Sequence, residues 1–482
     1  MTRNKRKGQR PIHRILLVLP PTTCLEEGES KRTYPPLGLA YLAAALEPEC
    51  EVQILDTILE GYAQHRLLEE GLFEYGLGTE DIEQRIREFQ PDLVGVSCLH
   101  FVQAEQSHQV CRLVKRIDPD IVTVMGGVYP TVLTGQVLND DTVDISVLGE
   151  GEETFLELVR ALSAGKDLNT VRGIAFRDGD EQHRTASRPL MPLCAKKLPL
   201  PARHLLPIKR YSELTIRPFG YRPVLRHPFT PVVVSRGCPV GCSFCASESL
   251  WGSSYRLRDV EDVLDEMELL VSSGIREMHF FDDNLTLNKR YAAKLFDGMV
   301  ERGLGLSWYA VVGLAIWTLD QALLEKMRAS GCYRVGLPIE VADKSRLDSM
   351  GKPVLLGRVP ALVRSVKDLG MFADGTFMLG YPGETLEDMY RTVKMALALE
   401  LDSATFSIAT PFPGTPLWNQ CIEEGFLVKG TRLIDLRFAK GNIQTSEFGP
   451  DDLKRLRHEA WRQVQKQSSE VLVQVTQGPE LF

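Results

Sequence analysis

Short apolar runs alternate with stretches of helical periodicity twice along this chain of 482 residues, and a proline-rich interval separates the two series. Alternation of this kind builds parallel α/β sheets, because a strand cannot lie parallel to its predecessor without a crossover, usually helical, between them. A chain this long exceeds one ordinary core, so the two series read as two domains.

The first series spans 12–165. Its candidate strands are Ile15 to Leu19, Val52 to Leu55, Leu93 to Cys98, Ile121 to Met125 and Ile145 to Leu148. Between them, Pro36 to Leu46 and Val102 to Ile117 place apolar residues on one helical face. Five strands with interleaved helices predict a doubly wound, flavodoxin-like (Rossmann-type) sheet. Residues 166–228 hold eight of the 28 prolines, which excludes long helices; a strand or two near Val171 to Phe176 and then an extended linker are expected.

The second series covers 229–430. Strands are expected at the apolar run Val232-Val233-Val234 and near Met278 to Phe281, Leu306 to Val312, Tyr333 to Ile339, Phe372 to Leu379 and Ala404 to Ala409. Helices lie between them, among them Leu319 to Ser330 with Thr318 and Gln321 as a capping box. Six strand-helix units predict a partial (β/α)6 TIM-like barrel whose functional residues follow the carboxyl ends of its strands. The remainder, 431–482, reads as a small helical region.

A net charge of −8 argues against a protein that holds nucleic acid by phosphate neutralisation. No apolar run is long enough to cross a bilayer, and the basic run Arg3 to Arg10 reads as a leader into the first strand. Cys24, Cys50, Cys98, Cys111, Cys194, Cys332 and Cys421 lack pairing rhythm, which fits a reducing, cytoplasmic setting.

The other three cysteines, Cys238, Cys242 and Cys245, lie in Arg236-Gly237-Cys238-Pro239-Val240-Gly241-Cys242-Ser243-Phe244-Cys245, just after the first barrel strand. Thiolates so spaced on a tight loop can converge on one soft metal centre and leave a coordination position open. A closed structural zinc site needs a fourth ligand, and the nearest histidine, His227, lies upstream across prolines.

With the six-unit series, this run resembles the cluster motif of the radical S-adenosylmethionine (SAM) enzymes. The resemblance implies that Cys238, Cys242 and Cys245 hold a 4Fe-4S cluster whose fourth iron chelates the amino and carboxylate groups of SAM. It sets Phe244 beside the adenine, where a core phenylalanine is the plain alternative. Asp282-Asp283-Asn284 stands where the family binds the amino group of SAM, and capping or solvation would use the same residues. Leu337-Pro338-Ile339-Glu340 resembles the family's Gly-Ile-Glu element, with Pro338 a departure; it makes Glu340 an acceptor for SAM, or else half of an ordinary salt bridge. Leu379-Gly380-Tyr381-Pro382-Gly383-Glu384-Thr385 is typical of the family and reads first as a turn and helix start.

The first series has neither a dinucleotide fingerprint nor a phosphate-binding loop. Ser97-Cys98-Leu99, Gly126-Gly127 and Gly149-Glu150-Gly151-Glu152 instead follow three successive strands, where open α/β sheets bind ligands. Together with Tyr34-Pro35-Pro36-Leu37-Gly38-Leu39 they resemble the cobalamin-binding domain fused to one branch of radical SAM enzymes. Ser97, Leu99, Gly126, Gly127, Gly149, Glu150 and Gly151 are its candidate contacts. The first loop, Pro20-Pro21-Thr22-Thr23-Cys24-Leu25, has no histidine, so cobalt without a lower histidine ligand is expected. His100 and His108 read as surface or core residues.

The resemblance therefore identifies a cobalamin-dependent radical SAM C-methyltransferase. A 5′-deoxyadenosyl radical would activate an unactivated carbon of a small molecule, and methylcobalamin would supply the methyl group. An external electron donor of flavodoxin or ferredoxin type is implied. Tyr75 to Ile82 and Gly313 to Trp317 are similar to the methylases of fosfomycin biosynthesis, an antibiotic pathway. That suggests a phosphonate met by Arg217, Arg222, Arg226 or Arg334, all of which could equally be surface residues. A cobalamin-dependent cyclase without methyl transfer, and a zinc-stabilised binding protein without catalysis, are the rival readings.

Overall fold

The structure, a computed structural model, describes residues 11–194, 198–214, 224–311 and 313–475. It divides into two compact units, Met1–Thr215 with Ser249–Gly252, and Ile216–Glu248 with Ser253–Phe482. The basic run Arg3 to Arg10 lies outside the described residues, as do Arg217, Arg222 and Val312. Among the described residues, no helix is long and apolar enough to cross a membrane.

In the first unit, Arg14–Leu19 (β1), Glu51–Asp56 (β2), Leu93–Ser97 (β3), Val122–Gly126 (β4) and Ile145–Val147 (β5) pair in parallel in the order β2-β1-β3-β4-β5. This is the flavodoxin-like order, and its reversal between β1 and β3 opens a crevice at the carboxyl ends. Ile15 and Leu17 pack with Leu39, Ala43, Leu46, Phe155, Leu158 and Leu162 from two helices, Leu37–Leu46 and Glu152–Ser163. Burial on that scale is what fixes the register of β1, since a one-residue slip would turn these side chains to the opposite face. Ile174–Asp178 (β6) and Glu181–Arg184 (β7) add an antiparallel hairpin to the β5 edge. A second, three-stranded antiparallel sheet of Thr22–Leu25, Leu72–Tyr75 and His65–Glu69 stands directly after β1.

In the second unit, Phe229–Val232 (β8), Glu277–Phe280 (β9), Ser307–Ala310 (β10), Cys332–Glu340 (β11), Phe372–Leu379 (β12) and Ser403–Ile408 (β13) form a wholly parallel sheet in chain order. The two ends, β8 and β13, do not pair, so the barrel is open. Helices intervene between all successive strands, and fully buried Trp308 of β10 packs between Phe280 and Phe296. The β13 edge is covered: Arg457 donates to the Phe406 carbonyl (2.9 Å), and the Ile408 amide to the Phe438 carbonyl (2.8 Å).

Two local expectations change. The apolar run read as the first barrel strand extends past it, because β8 ends at Val232 and the amides of Val234 and Ser235 go to the Asp282 carboxylate. The helix expected from Leu319 starts at Gln321. Asp320 caps it by accepting from the Leu323 amide, while the Thr318 hydroxyl donates to the Ala315 and Thr286 carbonyls and forms no capping box.

Candidate active site

Cys238, Cys242 and Cys245 lie on the segment beyond the carboxyl end of β8, none of them disulfide-bonded. Gly237 and Gly241, at φ +84° and +68°, let this segment turn where a side chain would be strained. Two carboxylates after β9 hold its ends. Asp282 accepts from the Val234 amide (3.1 Å), the Ser235 amide (2.5 Å) and the Ser235 hydroxyl (2.6 Å). Asp283 accepts from the Gly237 amide (3.1 Å) and the Ser247 hydroxyl (2.7 Å). Burial pushes Asp282 up to about 7 against the pull of those donors.

The middle of the segment is fastened from the stretches that follow other strands. Ser243 donates its amide to the Met350 carbonyl (2.9 Å), accepts from the Leu417 amide (2.9 Å) and shares a hydroxyl contact with Tyr381 (2.7 Å). Phe244 is half-buried, so it is not a core residue. Burial raises the Cys242 thiol to about 11 although Lys352 acts the other way, so a metal must displace its proton.

Fit to a cluster follows from the donor set. Among the described residues, no three His, Cys, Asp or Glu side chains converge on a single ion, as a zinc site would require. A cubane spreads its thiolates over separate irons, and three of them leave one iron to another ligand. Asp282 Oδ2 and Asn284 Oδ1 are buried beside the loop without a hydrogen-bond partner among the described residues, and Asn284 Nδ2 lies 3.8 Å from Cys238 Sγ. Two such acceptors suit a ligand bearing an ammonium group.

Glu340 closes β11 at φ +70°, a conformation that costs a side-chain residue roughly 1–3 kcal/mol. Its cause is visible next to it: the β11–β12 register shifts between Pro338 and Glu340, and Pro338 has no amide to give the ladder. The bulge aims the carboxylate at Lys352 (2.9 Å), with the two side chains 9% and 12% exposed. Sequence reasoning missed Lys352, which belongs to no motif and meets Glu340 only through the fold. The Lys352 ammonium lies 5.8 Å from the centre of the Phe244 ring.

The turn after β12 is structural, as expected. Buried Glu384 accepts from the Gly380 and Tyr381 amides (2.9 and 2.8 Å), and Thr385 with Asp388 forms a capping box for Leu386–Ala398. Arg334 is buried in an ion pair with Asp374 near the amino end of β11, opposite the cysteines. Arg226 donates to the Gly305 carbonyl (2.7 Å), before β10 starts. Neither is therefore placed to meet a phosphonate at the carboxyl ends, which corrects that expectation.

The carboxyl ends of the first unit are built from backbone. A Cβ on Gly127 (φ +116°) would stand 2.5 Å from the Cys98 carbonyl oxygen, so glycine is what lets the loops after β3 and β4 touch. Gly126 accepts from the Cys98 amide (2.8 Å). Thr131, which carries no motif, donates its hydroxyl to Gly127 O (2.7 Å) and accepts from the Gly149 amide (3.0 Å), tying the loops after β4 and β5 together. A Cβ on Gly149 (φ +70°) would meet nothing within 4 Å, whereas one on Gly151 would press on Leu42. Ser97 ends β3 half-buried, and Leu99 beyond it is 45% exposed. Glu150 accepts from the Met191 amide (2.9 Å), so its carboxylate is engaged within the unit.

Thr22–Leu25, in the loop without a histidine, is a strand with Thr23 and Cys24 buried. His108 is a core residue between Asp140 (2.9 Å) and Tyr129 (3.1 Å), and His100 is exposed.

Residues 28–159 match the B12 binding domain family, and residues 232–396 match the Radical SAM superfamily. An uncharacterized methyltransferase of Pyrococcus horikoshii is 34% identical over 86% of this chain and 85% of its own. The cytidylyl-2-hydroxyethylphosphonate methyltransferase of Streptomyces wedmorensis is 33% identical over 90% of this chain and 86% of its own. Among solved structures, the radical SAM methyltransferase TsrM of Kitasatospora setae, with cobalamin and a [4Fe-4S] cluster bound, shares the fold. Its TM-score is 0.68 at 22% identity, covering 94% of this chain and 85% of that one. The chain belongs to the family of cobalamin-binding radical SAM methyltransferases.

Proposed function

We propose that the protein methylates an unactivated carbon of a small-molecule substrate, using a 4Fe-4S cluster, SAM and methylcobalamin. The observation that carries the reading is the three-thiol loop at the carboxyl end of β8, clamped by Asp282 and Asp283. When bound, these groups supply reductive cleavage of SAM, hydrogen abstraction from the substrate carbon and the methyl group itself. Cys238, Cys242 and Cys245 hold the cluster, and Phe244 and Glu340 line the SAM position. The unpartnered oxygens of Asp282 and Asn284 accept from its amino group.

In the first unit, residues 12–165 hold cobalamin through Ser97, Leu99, Gly126, Gly127, Gly149, Glu150 and Gly151. Residues 166–228 serve as linker, 229–430 as the catalytic barrel, and 431–482 as the covering helical region. Electrons come from outside the chain, from a donor of flavodoxin or ferredoxin class, in a cytoplasmic setting where the unpaired thiols stay reduced. A phosphonate substrate rests on the Streptomyces wedmorensis relative alone, since Arg334 is committed to Asp374.

Anaerobic reconstitution with iron, sulfide and hydroxocobalamin, then incubation with SAM, strong reductant and candidate substrates, tests the reading. Deoxyadenosine, S-adenosylhomocysteine and a product heavier by one methylene unit are expected, and Cys242→Ala should abolish the deoxyadenosine. Deoxyadenosine that survives this substitution contradicts the mechanism. A product formed without S-adenosylhomocysteine indicates cyclisation instead.

A further inference from the structure

Electrons supplied from outside must cross the surface of the second unit, and the cysteine loop is open to solvent where it meets the segment after β11. Pro239 and Gly241 of the loop are exposed, and so is Gly351, which lies against Gly241. A Cβ on Gly351 would stand 3.2 Å from the Gly241 oxygen, and Cys242 Sγ lies 4.0 Å from the Gly351 oxygen. The Cys242 thiol is therefore one backbone group away from water.

Beyond Gly351 the chain stays on the outside. Pro353 is exposed and Leu355 is 48% exposed, an apolar pair that the fold leaves in water. Four residues of chain keep Leu355 within about 14 Å of Gly351. The Arg358 amide donates to the Leu355 carbonyl (2.9 Å) at the start of the helix Val359–Asp368, whose exposed face carries Arg364.

The charge of this stretch runs against that of the protein. From Ser349 to Lys367 it holds Lys352, Arg358, Arg364 and Lys367 and no carboxylate, in a chain of net charge −8. Acidic groups around it are already engaged: Asp348 pairs with Lys344, and Asp320, which feels the Arg358 charge, pairs with Lys289. The charge of Arg358 and Arg364 is left to complement an acidic partner. Electron carriers make small, brief contacts, burying less than about 1,200 Å² in total, so a compact patch with an apolar centre and a charged rim fits one.

We propose that the face formed by Gly351, Pro353, Leu355, Arg358 and Arg364 docks an acidic one-electron carrier protein of flavodoxin class. One electron leaves the reduced flavin and enters the oxidised cluster behind Gly241 and Gly351. The carrier is oxidised and the cluster reduced by that electron, and no bond forms or breaks. The inference rests on the reading of a redox-active cluster given above.

Reduced flavodoxin and dithionite, a reductant small enough to need no docking face, separate this role from a merely structural one. Stopped-flow absorbance follows reduction of the reconstituted cluster by each, and surface plasmon resonance gives the affinity of the oxidised holoenzyme for flavodoxin. Leu355→Glu and the double variant Arg358→Glu/Arg364→Glu should each lower that affinity, and the rate at subsaturating flavodoxin, by about tenfold or more. Reduction by dithionite should be unchanged in both. Added salt should slow the flavodoxin reaction of the wild type and not that of the double variant. Leu269→Glu, at a side chain 57% exposed on the helix Val260–Ser272, should match the wild type throughout. An unchanged flavodoxin rate in either variant, equal slowing with dithionite, loss of iron from the variants, or the same defect in Leu269→Glu would each overturn the assignment. A wild-type protein that forms no cluster, or whose cluster dithionite fails to reduce, would instead sink the underlying reading.

Discussion

The carboxyl ends of the two parallel sheets do the same architectural job with different materials. In the second unit the loop beyond β8 is held by side-chain charge: Asp282 and Asp283 grip its backbone, and the Glu340–Lys352 pair stands against it. In the first unit the loops beyond β3, β4 and β5 are held largely by backbone contacts, a threonine hydroxyl and glycines that let segments touch. Buried charge positions a few atoms tightly, as a cluster and a small zwitterion require. A backbone cradle leaves a broad surface open, as a large planar cofactor requires. The contrast predicts that substitutions in the second unit act on iron and SAM, and those in the first on cobalamin.

The largest effect should come from Cys242→Ala. Iron per chain should drop to background while hydroxocobalamin binding is retained; loss of both together would erase the distinction between the units. Next, Glu384 bears on the second unit's reliance on buried charge. Burial raises it from 4.5 to about 8, so stability is fully present below pH about 4.5 and is lost as pH rises through about 8. The loss is on the order of a few kcal/mol. Glu384→Gln should flatten that slope in urea unfolding followed between pH 6 and 9, and an unchanged slope would place the charge elsewhere.

Asp282→Ala leaves the Val234 and Ser235 amides unsatisfied, a cost of about 2–3 kcal/mol. It should lower iron uptake more than cobalamin uptake, as metal analysis and absorbance would reveal. The smallest pair sharpens the first unit. Gly127→Ala must push the Cys98 carbonyl aside and should destabilise that unit by about 2 kcal/mol. Gly149→Ala meets only open space and should cost about 1 kcal/mol from its backbone angle alone. Cobalamin titration should nevertheless show weakened binding in Gly149→Ala if the cofactor occupies that open space as proposed.

Much of both sheets was legible because most of the parallel strands carry a short buried apolar run, as in Ile15 to Val18 and Phe377 to Leu379. The antiparallel sheet after β1 was not, since Thr22–Leu25 lacks an apolar run and His65–Glu69 is wholly exposed. Val234 looked like strand, and its amide goes to a carboxylate about fifty residues away, a pairing no local pattern carries. The same distance effect hid Lys352, whereas the cysteines announced themselves by spacing alone. Arg334 misled in the opposite direction: a phosphonate would favour an arginine, and here Asp374 already occupies it.

Mössbauer spectroscopy of the 57Fe-reconstituted protein, with and without SAM, tests the central claim most directly. In the expected 4Fe-4S cluster one iron of the four separates from the others when SAM is added, and Cys242→Ala forms no such cluster. A protein that binds one zinc and no iron, or a cluster whose irons all ignore SAM, would contradict it.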